Sequence, residues 1–267
     1  MILGLLSGVG HLPAELADAV RQQGYEVVAI GVVPEIDPGL FSAADVYYDI
    51  NIGKIGKIIS TLKKHEVTHV TMIGKVSKEV LYKAGAIVPD LRAIKLLASL
   101  PDRKDDTIMN AIVKELEGEG IEVMDQADLI KPLLPKPGVL TKRAPTPEEL
   151  ADMEFGFEVA KSLGGLDIGQ TVVVKNKAVM ALEAIEGTDA CILRGGFLGC
   201  GGVIVAKTAK PNQDKRFDMP GFGANTVKSM VSAGATGIVL EAGSTIIADR
   251  EKAIKLADEN NITILVK

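Results

Sequence analysis

The chain has no tryptophan, two cysteines, three histidines and an aromatic share of 4%, and each shortage closes off a class of function. Single-stranded nucleic acids stack their bases on aromatic side chains, and a phosphate backbone needs a basic face. With few aromatics and a net charge of −5, no nucleic-acid partner is expected. Cys191 and Cys200 show no CxxC spacing and have no neighbouring histidine, which argues against a zinc site. Two cysteines in 267 residues do not make a disulfide scaffold, so both are expected to be reduced, in a cytoplasmic protein. His11, His65 and His69 are scattered, and residues 67–73 read as a strand that would split the last pair between elements. Capping or surface roles suit them. The start, Met1-Ile-Leu-Gly-Leu-Leu-Ser-Gly, lacks a positive region and a clear cleavage site, so no signal peptide is expected. No apolar run approaches the length that crosses a bilayer.

What is present is an ordinary globular composition, 47% hydrophobic and 24% charged, in a chain long enough for one large domain or two small ones. The amino-terminal half repeats an α/β rhythm. Strands are expected over 2–6, 25–30, 67–73 and 121–124, and helices over 13–23, 53–64, 90–100 and 105–117. Such alternation predicts a mainly parallel sheet covered on both faces. Between 131 and 147, Pro132, Pro135, Pro137, Pro145 and Pro147 make a stiff, extended stretch that reads as a linker. Thr146, Pro147 and Glu149 then form a capping signature for a helix running to about Leu163. Beyond it, two β-branched runs separated by Asn176-Lys177 read as a hairpin over 171–182. A short helix over 189–193, strands over 203–206, 236–240, 244–248 and 262–266, and helices over 224–233 and 249–260 follow. Opening on a hairpin makes that sheet mixed rather than parallel. The expected fold class is therefore α/β with two domains: a Rossmann-like amino-terminal domain over 1–130, a Pro-rich linker over 131–147, and a mixed α/β domain over 148–267.

Chemistry-bearing residues gather in three places. The stretch Lys207 to Thr226 reads as a long polar loop leading from a strand to a helix, kept irregular by Pro211, Pro220, Gly221 and Gly223. Asp214 and Asp218 lie four apart in it, with Arg216 between them and Lys207, Lys210 and Lys215 nearby. Carboxylates and cations on one loop suit a hard metal ion and an anionic substrate; the same pattern also arises in a solvated loop with local ion pairs. The second place is Glu183-Ala-Ile-Glu-Gly-Thr-Asp-Ala190, where Gly187 allows close backbone approach and Thr188 or Asp189 could cap a helix. Two such clusters at strand ends of the same half point to a shared polar site. The third is Ser7-Gly-Val-Gly-His-Leu-Pro13, together with Gly74-Lys75, both at carboxyl ends of strands where open α/β sheets bind ligands. Gly8 and Gly10 give G-x-G, but Pro13 occupies the third glycine position, and no acid ends the second strand. A phosphate cradle at the helix start fits this turn better than a dinucleotide.

Glu-Ala-Ile-Glu-Gly-Thr-Asp-Ala at 183–190 and Lys-Pro-x-Gln-Asp-x-Arg-Phe-Asp-x-Pro at 210–220 resemble the signatures of the LpxI-type UDP-2,3-diacylglucosamine pyrophosphatase family of lipid A biosynthesis. The similarity continues at Leu3 to Pro13, Ile73-Gly-Lys-Val76, Pro89-Asp-Leu-Arg92, Asp105-Asp106 and Gly138-Val-Leu-Thr141, in order along nearly the whole chain. The resemblance implies hydrolysis of UDP-2,3-diacylglucosamine to UMP and 2,3-diacylglucosamine 1-phosphate, with Mg²⁺ or another divalent metal such as Mn²⁺. It assigns Asp218 and Asp214 to catalysis, and Asp218, Asp214 and Asp189 to the metal. Gly8, Gly10, Leu12, Gly74 and Lys75 in the first half would bind substrate. In the second half the substrate partners would be Glu186, Gly187, Thr188, Lys207, Lys210, Gln213, Arg216 and Thr226. The partner would be this glycolipid nucleotide, met transiently at the inner membrane face, with a homodimer as an option. A nucleotide-sugar or lipid-binding protein without catalysis and an NAD(P)-dependent oxidoreductase are the alternatives from other classes.

Overall fold

Leu3, Leu5 and Leu6 stand in an uncharged run that is buried on both faces, and β1 (Ile2–Ser7) forms there. A strand buried on both faces needs helices above and below it, and the following segments supply them. In the computed structural model, residues 1–74, 76, 88–102, 105–131, 134–211, 214, 216–217 and 219–267 are described, without the side chains of 105, 106 and 127. They divide into two compact units, Met1–Pro132 with Lys215–Phe217, and Leu133–Asp214 with Asp218–Lys267.

In the first unit, α1 (Leu12–Gln22), β2 (Glu26–Gly31), α2 (Gly39–Ala43), β3 (Val46–Asp49), α3 (Ile55–Lys64) and β4 (His69–Ile73) follow β1. Then come α4 (Leu91–Ser99), α5 (Asp105–Glu117), β5 (Glu122–Val123) and α6 (Gln126–Leu129). The strands run parallel in the order β3-β2-β1-β4-β5, so the chain reverses its direction of travel across the sheet between β1 and β4. That reversal is where such sheets place ligands. One face packs Val28, Ile30, Val70 and Met72 against Ile58, Ile59 and Leu62 of α3 and Val113 and Leu116 of α5. Phe217 packs against the same cluster. Helix α4 starts at Asp90, whose carboxylate accepts from Ala93 N at 2.9 Å and from Gly56 N at 2.8 Å. Burial alone would raise the Asp90 pKa; its backbone N–H partners outweigh that and lower it. Arg92 of the same helix bonds Glu115 and Glu119, and Lys63 also pairs Glu119. Hydrogen bonds from Lys63 and Arg92 hold the Glu119 carboxyl at about 2.

The second unit is a six-stranded sheet in the order β6-β13-β11-β9-β7-β8. Its members are β6 (Gly138–Val139), β7 (Thr171–Lys175), β8 (Ala178–Leu182), β9 (Val203–Lys207), β11 (Ala235–Leu240) and β13 (Thr263–Val266). β9, β11 and β13 are parallel, while β7 runs against β8 and β9, and β6 against β13. The expected hairpin turns at Asn176 and Lys177, both at positive φ. Alternation along the strands separates two cores. Val172, Val174, Ile204, Ala206 and Val239 meet α7 (Pro147–Gly165) through Met153, Ala160 and Leu163. Val173, Val205, Ile238 and Ile264 face α8 (Thr188–Leu198), α9 (Ala224–Ser232) and α10 (Arg250–Glu259).

The structure departs from the sequence reading at short elements. The strand expected over 244–248 is β12 (Ile246–Ile247), and it pairs with β10 (Gly221–Phe222) in a separate two-stranded sheet. The proline-rich stretch contributes β6 to the second sheet and is fastened beyond it. Lys142 N donates to Asp258 Oδ1 at 2.8 Å, and Arg143 Nη1 to Thr263 Oγ1 at 2.6 Å. The capping box at α7 is present: Thr146 Oγ1 accepts from Glu149 N at 3.2 Å, and Glu149 Oε2 accepts from Thr146 N at 2.9 Å. Helix α8 is longer than expected and starts earlier. Its N-cap is Gly187 at φ +82°, not Thr188 or Asp189, because the Thr188 side chain is engaged elsewhere.

Candidate functional site

In the second unit, polar groups converge where β9 ends. β7 is antiparallel to β9, so its first residue, Thr171, lies opposite the last residue of β9, Lys207. β8 ends beside the start of β7, and the next residue, Glu183, donates its backbone N–H to Thr171 O at 2.9 Å. Gly187 then turns the chain through a left-handed conformation that favours glycine, which brings Thr188 to the first position of α8. Four side chains meet as a result. Lys207 Nζ donates to Thr188 Oγ1 at 2.9 Å, Thr188 Oγ1 donates to Glu183 Oε1 at 3.0 Å, and Thr171 Oγ1 lies 3.3 Å from Thr188 Oγ1. Thr171, Lys207 and Glu183 are 0%, 4% and 7% exposed, so this is a buried cation held by a buried hydrogen-bond cluster. A charge removed from water persists only with such partners.

Beside it, Thr208 N donates to Gln170 O at 3.0 Å. Thr208 Oγ1 and Gln170 Oε1 are buried with no hydrogen-bond partner among the described residues. Unmade hydrogen bonds on buried groups are costly and call for an explanation; these two belong to the residues that precede Thr171 and follow Lys207 in the chain. The chain leaving β9 is anchored by Ala209 N donating to Glu241 Oε2 at 2.7 Å, with Lys161 Nζ on Glu241 Oε1 at 2.9 Å. Cys191, one turn into α8, is buried, and burial pushes its thiol up to about 12; Cys200, just beyond the helix, is exposed.

The remaining candidates of this half are placed as follows. Lys210 Nζ donates to Asp167 Oδ1 at 2.8 Å. Glu186 faces Arg194, with which it forms an ion pair, and accepts from Ala184 N at 3.1 Å. Its own backbone N–H and then Arg194 hold its carboxyl below the usual range, so this carboxylate fastens the turn that carries Gly187. Asp189 is exposed in the first turn of α8, Asp214 is half-buried, and Thr226 is half-buried in the first turn of α9. The carboxylate oxygens of Asp189 and Asp214 are the donor class that Mg²⁺ or Mn²⁺ takes. Asp218 and Gln213, like Lys75 in the first half, lie outside the described residues. Arg216 groups with the first unit, where it reaches Asn110 Oδ1 at 3.3 Å and Glu117 Oε1 at 3.5 Å.

In the first unit the switch between β1 and β4 is built from glycine backbone. Gly8 N donates to Ile73 O at 2.9 Å, and a Cβ on Gly74, at φ +96°, would stand 2.8 Å from Gly8 C. The two strand ends therefore approach as closely as backbone allows. Gly10 is exposed at φ +108°, and Leu12 opens α1, whose N-cap, His11, makes no side-chain cap. Of the residues brought together here, Gly8 and Gly74 were legible as candidates. In the second unit Lys207 and Thr188 were legible, and Glu183 was seen as part of the acidic motif without a role of its own, while Thr171, Gln170 and Thr208 were not singled out. The signal available for Thr171 and Thr208 was a polar residue at the end of an apolar strand, Thr171 opening β7 and Thr208 following β9.

Residues 2–133 match the family model of the LpxI N-terminal domain, and residues 136–265 that of the LpxI C-terminal domain. The chain belongs to the LpxI family. The UDP-2,3-diacylglucosamine pyrophosphatase LpxI of Caulobacter vibrioides is 35% identical over 277 residues, covering 98% of this chain and 96% of that relative. This places the motifs at 183–190 and 210–220 in an LpxI chain from end to end. The bifunctional purine biosynthesis protein PurH of Mesorhizobium japonicum is 28% identical over 201 residues, 68% of this LpxI chain, which spans 33% of PurH. Among solved structures, glycinamide-RNase-transformylase T of Mycobacterium tuberculosis shares 14% identity over 69% of this chain and 44% of its own, at a TM-score of 0.26.

Proposed function

We propose that this LpxI chain hydrolyses the pyrophosphate bond of UDP-2,3-diacylglucosamine, giving UMP and 2,3-diacylglucosamine 1-phosphate. The observation that carries the reading is the match of both halves to the two LpxI domains, with a pyrophosphatase relative aligned over nearly the full length. Water adds to one phosphorus, the P–O bond of the anhydride breaks, and the bridging oxygen leaves on the other phosphate. Such a reaction needs cations on the phosphate oxygens and a positioned water. Lys207 and Lys210 are the phosphate partners of the second unit, with Gly187, Thr188, Glu186, Gln213 and Thr226 around the substrate. Arg216 adds the fork geometry suited to phosphate. In the first unit, Gly8, Gly10, Leu12, Gly74 and Lys75 offer backbone and side-chain contacts to nucleotide or phosphate.

Asp218, Asp214 and Asp189 would hold Mg²⁺ or Mn²⁺, which when bound neutralises charge on the phosphate oxygens. Asp218 and Asp214 are the groups that orient the attacking water. The lipid substrate brings the protein to the inner face of the membrane from the cytoplasm; among the described residues no helix is long and apolar enough to cross it. The test is incubation with UDP-2,3-diacylglucosamine and Mg²⁺ or Mn²⁺ in detergent, with UMP as the readout. In ¹⁸O-water the label enters either UMP or the lipid phosphate and so identifies the phosphorus attacked. No UMP across metals and detergents overturns the reading.

A further inference from the structure

The buried cluster at the end of β9 has a direction built into it. An ammonium only donates and a carboxylate only accepts, whereas a hydroxyl has one proton and two acceptor sites. With Lys207 Nζ at 2.9 Å and Glu183 Oε1 at 3.0 Å from Thr188 Oγ1, the Thr188 proton lies towards Glu183 and the lysine donates to Thr188. The Thr171 hydroxyl, 3.3 Å away, is left with the donor's role into the remaining acceptor site. The Thr188 hydroxyl is thereby saturated, and its orientation is set by the one group that takes its proton.

We infer that Glu183 is a positioning residue: by accepting the Thr188 proton it turns that hydroxyl's acceptor sites towards Lys207 and fixes the direction of the ammonium. This rests on the reading of Lys207 as a phosphate partner. Glu183 is itself held in place. It is 7% exposed, its backbone N–H bonds Thr171 O at 2.9 Å, and its Oε2 accepts from Gln170 N at 3.4 Å. A carboxylate so confined can define a direction, which a solvated side chain cannot. Without it the Thr188 proton turns to another acceptor, and the hydrogen bond that the 4% exposed Lys207 makes to Thr188 loses its fixed direction. Cations aimed in advance at phosphate charge owe their effect to such fixed placement, and small displacements are expensive in rate.

The experiment is a double-mutant cycle. Glu183→Gln keeps the size of the side chain; with its single carbonyl oxygen held by Gln170 N, as Oε2 is in the parent, its amide NH₂ is left to donate to Thr188, which reverses the relay. The expected fall in kcat/KM for UMP release is about tenfold or more, with little change in unfolding temperature. In a Lys207→Met background the same substitution should cost nothing further, because residues that act through one another are not additive. A parental rate in Glu183→Gln, or losses that simply add, overturns the inference. Where Glu183→Gln does not fold, Glu183→Asp, which draws the carboxylate back by one methylene, serves the same cycle. A second readout needs no substrate: in ¹⁵N-labelled protein the Lys207 ammonium should give a slowly exchanging signal that the Glu183 variants lose. An unchanged signal in the variants overturns the positioning role, whereas a parent protein that releases no UMP counts only against the proposed function.

Discussion

Asp218 closes the run Gln-Asp-Lys-Arg-Phe-Asp just ahead of Pro220, and at the scale of single residues it is the sharpest point of the proposal. If it orients a metal or the attacking water, it acts mainly on charge that develops in the transition state, so its loss falls on kcat. Asp218→Ala should lower kcat about a hundredfold or more and leave substrate affinity unchanged or improved, since one negative charge near the pyrophosphate has gone. Single-turnover rates and equilibrium binding separate the two; a folded variant with near-parental kcat would transfer the role to Asp214. The groups around Lys207 were only partly legible in sequence. Lys207 and Thr188 stood out because they belong to polar motifs at strand ends. Thr171 did not, because what makes it important is the antiparallel register that sets it opposite Lys207; Glu183 heads the same acidic motif as Thr188, but only the fold shows its carboxylate taking the Thr188 proton. A register between strands separated by a whole helix has no local signature.

Among elements, the long strands were readable because their apolar β-branched runs are the ones the two cores bury. Of the two-residue strands, β5 and β12 fall inside the strands expected over 121–124 and 244–248, whereas β6 and β10 are too short to show a period and were not expected. The start of α7 was readable because its capping chemistry is local, and it also carries a prediction. Arg143 Nη2 donates to both oxygens of Glu149, at 2.7 and 2.8 Å. Burial alone would raise the Glu149 pKa, but Arg143 and the Thr146 N–H outweigh it and lower it from the ordinary 4.5. A carboxyl whose folded pKa is depressed stabilises the fold fully above its unfolded value, and loses that contribution as pH falls through the folded one. Glu149→Ala should therefore cost about 1–2 kcal/mol at pH 7, a difference that narrows steadily below about pH 4.5. Urea unfolding of parent and variant at pH 7 and at acid pH measures it. A gap that stays constant into acid would show that the carboxylate charge contributes nothing.

For the molecule as a whole, the division into two α/β units and the family were both legible, since each unit carries its own rhythm of apolar runs and its own glycine-rich or acidic motif. The membership of Arg216 and Phe217 in the first unit was not. That depends on Phe217 finding the apolar cluster around Val113 and Leu116, a contact between distant parts of the chain. The two cysteines provide an optical handle on this architecture. Cys200 is exposed, while Cys191 is buried with its thiol pushed up to about 12, and only a thiolate that reaches solvent reacts. A chromogenic disulfide reagent should therefore titrate one thiol at once in the folded protein and the second only as the unit containing α8 opens. The slow phase then clocks the opening of the fold around Thr188 in unmodified protein, and a fluorophore placed on Cys200 requires no engineered cysteine. Two thiols reacting at once in folded protein would show that α8 admits the reagent without unfolding.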